Sequence, residues 1–244
     1  MVALSKLPLK FHYFMADVLA WLFRKVLRYR YSTVMVNLSR SFPDKKYKEI
    51  DRIAKDFYRH FGEIFAEAIW FGGSSYKRLH DSGIVTVMNP EELNELFLST
   101  PSMTVLSTHC GNWELLGGFL GYRTSTGEKV ALEEEQIRVV YKKLSNEVMD
   151  EVFKQNRTYC VPGFKGLVEA SSFLRTALKN KDEKKIYISN SDQYPYVGRF
   201  FVGDFLNQPT YGMTGVVGVA HKMKMSVLAM KMVHKERGSY ELTF

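Results

Sequence analysis

A histidine and a glutamate five positions apart, His109 and Glu114, lie between two apolar segments. The first, residues 103–107, has the length and composition of a buried strand, and residues 115–120 are typical of a helix start. Five residues rotate an α-helix by roughly 500°, so both side chains on one helix would point about 140° apart. We therefore predict that His109 lies in a loop, that Gly111 allows the chain to turn, and that Glu114 lies in the first helical turn. An imidazole that a carboxylate orients at the end of a strand is a candidate general base.

The spacing alone is weak evidence, because His12 and Asp17 are also five positions apart. These two lie in a continuous apolar segment that has no preceding strand and no glycine, and we interpret them as polar positions on a helix. For His109 the alternative is a buried structural histidine. Cys110 could in principle be a nucleophile, but adjacent side chains seldom point at the same atom.

The pattern of a strand followed by His-x-Gly-Asn-Trp-Glu-Leu-Leu-Gly, residues 109–118, resembles the signature of the lipid A biosynthesis acyltransferases. These are the late lauroyl and myristoyl transferases of Gram-negative bacteria. Similarity to this family extends over nearly the whole chain and is most specific at the His109 motif and at Asp192-Gln193. The other similar segments are 37–43, 140–146, 205–210 and 213–215.

The chain also departs from the family pattern. Lys142 stands where the family usually has arginine, and lysine is a point charge rather than a planar fork. Where the family usually has an aromatic pair with a glycine, this chain has Phe205-Leu206-Asn207. The last residues, 240–244, read as a strand where family members continue, so we expect a chain truncated at its C-terminus.

The resemblance implies an enzyme that moves a fatty acyl chain from an acyl-carrier-protein thioester to a hydroxyl of a lipid A precursor. In this interpretation His109 is the general base, Glu114 orients it, and neither a metal nor another cofactor is needed. Backbone N–H groups after Gly111 are candidate oxyanion donors. Basic side chains would suit an acidic lipid and an acidic carrier protein. The candidate substrate-binding residues are Gly111, Asn112, Arg138, Lys142, Asn146, Arg157, Asp192 and Gln193.

Three alternatives remain open from the residues alone. One is a lysophospholipid or other glycolipid acyltransferase that uses the same dyad, and another is a thioesterase in which water replaces the acceptor. The third is a basic membrane-surface or nucleic-acid-binding protein without catalysis. The preferred interpretation has no nucleic-acid partner.

Composition fits one substantial globular core, since 45% of the 244 residues are hydrophobic. Two cysteines, Cys110 and Cys160, cannot form a disulfide framework, which favours a reducing compartment. No Cys/His cluster has zinc-like spacing, and no glycine-rich phosphate loop is present.

Positive charge is concentrated in the first 60 residues, where 13 lysines and arginines stand against 5 acidic residues. That difference equals the net charge of the whole chain, +8. The apolar, aromatic segment 11–23 leads directly into the basic segment 24–30. It is too short to span a bilayer, which takes about 20 residues, but it suits a helix lying in the interface. A helix packed on the protein is the alternative. The expected location is the cytoplasmic face of the bacterial inner membrane, peripheral or singly anchored, against its anionic surface.

The order of elements predicts two regions. Residues 1–80 read as helical, with an interfacial or anchor helix, and residues 81–244 alternate strands with helices. The alternation predicts an α/β core with a mostly parallel sheet flanked by helices, as in glycerolipid acyltransferases. Ligand sites in such sheets lie beyond the carboxyl ends of the strands, where the His109 loop, the segment after Tyr141 and the Asp192 turn all fall. Strands are expected at 159–161 and 226–233, and helices at 166–178 and 211–223.

Overall fold

A computed structural model describes residues 2–193 and 199–244. The chain divides into two compact units. The first comprises Met1–Gly73 and Phe201–Tyr211, and the second comprises Ser74–Phe200 and Gly212–Phe244.

Helices form most of the first unit. They are α1 (Val2–Ser5), α2 (Leu9–Trp21) with a π-helical extension (Leu22–Val26), α3 (Tyr31–Ser41) and α4 (Tyr47–Phe71). Along one side of α4, Ile50, Ala54 and Tyr58 recur every four residues and are buried. Gly62 of α4 lies against the backbone of Ala16 in α2, and a side chain there would collide with that carbonyl oxygen. No helix in the described part of the chain is both long and apolar enough to cross a membrane.

A two-stranded ribbon completes this unit. Strands β7 (Arg199–Phe205) and β8 (Gln208–Met213) are joined by only Leu206 and Asn207. The helix expected from residue 211 is wrong in its first part, because β8 continues to Met213 and α9 spans Gly215–Lys222.

The second unit contains a five-stranded parallel sheet with the order β5-β4-β6-β2-β9. Its strands are β2 (Met103–Ser107), β4 (Ile137–Tyr141), β5 (Leu167–Glu169), β6 (Ile186–Asn190) and β9 (Ser226–Ala229). A smaller sheet has the order β10-β11-β1-β3, and only its β10–β11 pair is antiparallel. Its strands are β1 (Val85–Val87), β3 (Arg123–Thr124), β10 (Lys231–Glu236) and β11 (Ser239–Thr243). The remaining helices are α5 (Tyr76–Ser82), α6 (Pro90–Ser99), α7 (Glu147–Thr158) and α8 (Phe173–Lys179). The prediction of an α/β fold with a mostly parallel sheet is confirmed.

Three local predictions were wrong. Residues 159–161 form no strand. The strand that pairs with β4 is β5, which lies inside the segment 166–178 that was expected to be a helix. Val168 explains this, because in β5 its side chain is buried with Phe173 and Tyr187. The strand expected at 226–233 is divided at Met230 between the two sheets. The helix predicted after Gly111 is present with Glu114 in its first turn, as a 3-10 helix (Trp113–Gly121) whose glycines weaken α-helix propensity.

Candidate active site

The site lies where two neighbouring parallel strands end in register. Ser107, the last residue of β2, pairs with Asn190, the last residue of β6. The backbone N–H of Ser191 then donates to the carbonyl oxygen of Ser107 over 2.9 Å. His109 and Asp192 each follow two residues beyond these strand ends. The pairing of β2 with β6 therefore brings together two side chains that are 83 positions apart.

Asp192 holds His109 through two hydrogen bonds, one to the imidazole and one to the backbone. His109 Nδ1 lies 2.6 Å from Asp192 Oδ1, and the backbone N–H of His109 donates to Asp192 Oδ2 over 2.8 Å. The other ring nitrogen, Nε2, lies 3.3 Å from Gln193 Nε2. With the amide donating there, the ring proton sits on Nδ1 and Nε2 carries the lone pair. This is the tautomer that a general base needs.

The charge of Asp192 is favoured by its partner. Burial raises the pKa of this carboxyl, but the hydrogen bonds from the ring and backbone of His109 outweigh burial and hold the pKa below its ordinary value. A carboxylate that stays ionised also stabilises an imidazolium beside it. The Trp113 ring packs edge-on against the imidazole, with 4.9 Å between the centroids.

The prediction that Glu114 contacts the imidazole is wrong. Arg157 of α7 donates to both oxygens of Glu114, from Nε over 2.8 Å and from Nη2 over 2.6 Å. Trp113 Nε1 donates to the same carboxylate over 3.0 Å. Glu114 is buried, and its carboxylate is directed to α7 rather than to His109. The sequence carries no signal for this pair, because Arg157 lies 43 positions away.

Gly111 and Asn112 shape the loop that carries His109. Gly111 has φ +64°, and a Cβ there would lie 2.7 Å from the Met232 side chain and 3.0 Å from its carbonyl oxygen. Asn112 is fully buried, and its Oδ1 accepts the backbone N–H of Glu114 over 3.2 Å at the start of the 3-10 helix. The N–H groups of Asn112, Glu114 and Leu115 all have partners, so three of the expected oxyanion donors are occupied.

The other candidate residues separate into two groups. Lys142, Arg157 and Gln193 line one cavity together with His109. Asn146 caps α7 by accepting the backbone N–H of Met149 over 3.0 Å.

Arg138 is not brought to this edge of the sheet. It lies near the amino end of β4, where its Nη1 donates to the carbonyl oxygens of Glu135 and Ile137, both over 2.8 Å. The structure thus places Arg138 at the opposite end of β4 from the His109 site, and substrate contact at Arg138 stays a prediction.

A largely apolar cavity of about 760 Å³ opens beside His109. This volume falls within the range of about 300–1,000 Å³ that small-ligand sites occupy. Its polar members near the site include His109, Gln193, Lys142 and Arg157. Most of the remaining wall is aliphatic or aromatic, including Leu116, Leu120, Val139, Val161, Phe164 and Ile188.

Two groups on this cavity were not found by sequence reasoning. Tyr76 and Glu134 line it, and burial raises the pKa of the Tyr76 phenol, with the Cys160 thiol and Glu134 adding to the effect. Burial also raises the pKa of Cys160 to about 12, and its Sγ lies 3.2 Å from the Gly117 carbonyl oxygen. Cys160 is thus a thiol at neutral pH.

A histidine–aspartate pair beside an apolar cavity, on the carboxyl edge of a parallel sheet, is a candidate enzyme site for a ligand with an apolar part. A family model described as "Bacterial lipid A biosynthesis acyltransferase" matches residues 1–244, the whole chain. The chain belongs to this family, and the protein is an acyltransferase of lipid A biosynthesis. No curated protein matches it.

Proposed function

We propose that His109 is the general base for transfer of a fatty acyl chain from an acyl-carrier-protein thioester to a hydroxyl of a lipid A precursor. The observation that carries the proposal is the hydrogen-bonded pair of His109 and Asp192 beside the cavity. Asp192 takes the orienting role that the sequence had assigned to Glu114.

The chemistry needs no covalent enzyme intermediate. Nε2 of His109 removes the hydroxyl proton while the oxygen attacks the thioester carbonyl carbon. Asp192 stabilises the imidazolium that forms, as the carboxylate of a catalytic triad does. The tetrahedral intermediate then expels the thiolate as the C–S bond breaks, and the imidazolium returns its proton to that sulfur. Gln193 Nε2 lies 3.3 Å from His109 Nε2, and in this proposal the acceptor hydroxyl replaces that contact.

The cavity is the proposed site of the acyl chain. Its aliphatic and aromatic walls favour a hydrocarbon, and its cationic members Lys142 and Arg157 lie on the same cavity as His109. Positive charge there favours an acidic lipid precursor and an acidic carrier protein.

The proposed location is the anionic cytoplasmic surface of the inner membrane, with α2 lying in the interface. Phe11, Phe14, Val18 and Trp21 are 41–66% exposed and fall within roughly an 80° arc of that helix. The buried residues His12 and Ala16 lie on its opposite side. An apolar stripe directed away from the protein and followed by cations is the pattern of an interfacial helix.

The test combines the purified protein with acyl-carrier-protein thioesters and a tetra-acylated lipid A precursor, with mass spectrometry of the lipids. We expect one added acyl chain, lost in His109→Ala and strongly reduced in Asp192→Asn. His221→Ala is the matched control, since His221 is exposed on α9. Full activity of His109→Ala would refute the proposed base. Transfer to lysophosphatidic acid in place of the precursor would instead identify a phospholipid acceptor, and thioester loss without transfer would identify hydrolysis.

A further inference from the structure

Apolar side chains cover both faces of the ribbon formed by β7 and β8. Phe201 and Val202 are consecutive in β7, so their side chains point to opposite faces. They are nevertheless 52% and 59% exposed. Neither face of this part of the ribbon is therefore covered by the rest of its unit.

The tip of the ribbon adds two further apolar residues. Phe205 is 66% exposed and Leu206 is 47% exposed. Leu206 and Asn207 have φ of +49° and +58°, the two positive values of a type I′ turn. Asparagine and glycine favour that conformation, whereas a leucine is disfavoured in it. An exposed leucine at this position does not improve the turn, so its apolar character points to a contact outside the chain.

Cations flank the tip. The Asn207 side chain lies 3.4 Å from the carbonyl oxygens of Arg40 and Ser41, which places the turn beside the end of α3. The end of α3 and the segment up to Glu49 hold four exposed basic residues against two acids, Asp44 and Glu49, and include Tyr47, which is 71% exposed. The basic residues are Arg40, Lys45, Lys46 and Lys48, of which Lys45 pairs with Glu49 over 3.7 Å.

We infer that this ribbon tip is a second membrane-docking element, in addition to α2, and that it inserts Phe205 and Leu206 into an anionic lipid surface. A protein partner would cover one face of a ribbon, whereas the apolar part of a bilayer surrounds an inserted tip on all sides. The neighbouring cations suit anionic headgroups, because basic residues close to an anionic membrane surface are attracted to it. An exposed tyrosine beside them matches the aromatic residues that prefer the membrane interface. The inference does not depend on the chemistry proposed for His109.

The test measures partitioning of the full chain onto vesicles of phosphatidylethanolamine and phosphatidylglycerol, together with thermal unfolding in buffer. Leu206→Asn should lower the partition coefficient by about three- to tenfold, the amount expected for losing burial of half a leucine side chain. Its Tm should stay unchanged or rise, because asparagine tolerates the turn. Leu98→Asn is the matched control, since Leu98 is 65% exposed on α6, and it should leave partitioning unchanged.

A direct depth measurement covers the case in which Leu206→Asn does not fold. Phe205→Trp should gain fluorescence quenching by lipids with brominated acyl chains, and Leu98→Trp should gain none. Equal partitioning of wild type and Leu206→Asn, or an unquenched Phe205→Trp, would overturn the inference. A marked loss of Tm in Leu206→Asn would show that Leu206 packs on the protein, and self-association abolished by this variant with partitioning intact would show a second copy as occupant. Either result also overturns it.

Discussion

Glu114 and Arg157 should behave as one electrostatic unit, and a double-mutant cycle tests this. The perturbations are Glu114→Leu, Arg157→Met and the two together. Each single variant leaves one charge in place after its partner has been removed. The double variant replaces both charged groups with apolar side chains of similar size.

The structure sets the expected magnitude. Breaking a buried pair costs about 3–5 kcal/mol, whereas exposed pairs contribute about 0–1 kcal/mol. The Glu114 side chain is 9% exposed and that of Arg157 is 36% exposed, so solvent screens one partner. We therefore expect each single variant to lose about 2–3 kcal/mol of unfolding free energy, between those limits. The double variant should lose less than either, so the coupling energy should exceed the loss of a single variant, at about 3 kcal/mol.

Urea unfolding at neutral pH, followed by fluorescence, measures the four free energies. The matched control is Glu151→Leu with Gln155→Met on the exposed side of α7, where the two side chains hydrogen-bond over 2.9 Å. That pair should couple by less than about 0.5 kcal/mol. Additive losses at Glu114 and Arg157, within about 0.5 kcal/mol, would refute the assignment of Arg157 as the partner of Glu114. A pH–rate profile displaced by Glu114→Leu but not by Arg157→Met would show that Glu114 acts on the imidazole after all.

Three further predictions concern the site loop, the catalytic pair and α2. Gly111→Ala should destabilise the protein by about 2–4 kcal/mol in urea unfolding, because it combines strain at positive φ with a clash against Met232. The control Gly127→Ala has φ +82° but open surroundings, so it should cost only about 1 kcal/mol. Equal losses in the two variants would contradict the clash. Asp192→Asn should lower kcat by about 10²–10⁴, since it favours the wrong imidazole tautomer. Because the pKa of Asp192 is depressed in the folded state, its stabilising effect is present at neutral pH. The effect begins to be lost as pH falls below about 4 and is lost fully below the folded-state pKa, so the Tm difference from wild type should shrink steadily with acidification. A constant difference would exclude ionisation as the cause. Phe14→Ser should weaken vesicle binding without lowering Tm, because Phe14 is 66% exposed; unchanged binding would remove α2 from the interface.

The edge of the sheet that holds the site could be predicted, because it follows from local patterns. Short apolar segments predict β2 and β6. The polar residues that follow them lie close together because parallel strands end at the same edge of a sheet. The same logic misplaced Arg138 only because its position within β4 was not weighed. It lies next to the first residue of that strand, at the opposite edge from the residues after Tyr141.

The carboxylate that holds His109 could not be predicted from spacing. Glu114 lies five positions from the histidine and Asp192 lies 83 positions away, and only the register of β2 against β6 favours the distant residue. A buried carboxylate needs a partner, and for Glu114 that partner is supplied by α7. Strand β5 was missed for a related reason, since the burial that makes residues 167–169 a strand depends on β4 and α8.

The two carboxylates differ in what their partners can do with a proton. Arginine cannot be deprotonated in a protein, and Glu114 opposes the burial that would lower the pKa of Arg157, so that this pKa lies above its ordinary value. Arg157 therefore keeps its charge, and its pair with Glu114 can hold α7 against the 3-10 helix without following a reaction. An imidazole has a second ring nitrogen, so His109 can bind Asp192 through Nδ1 and exchange a proton at Nε2. In a motif with both His109 and Glu114, the histidine is thus suited to proton transfer and the glutamate to fixing the wall of the cavity beside it.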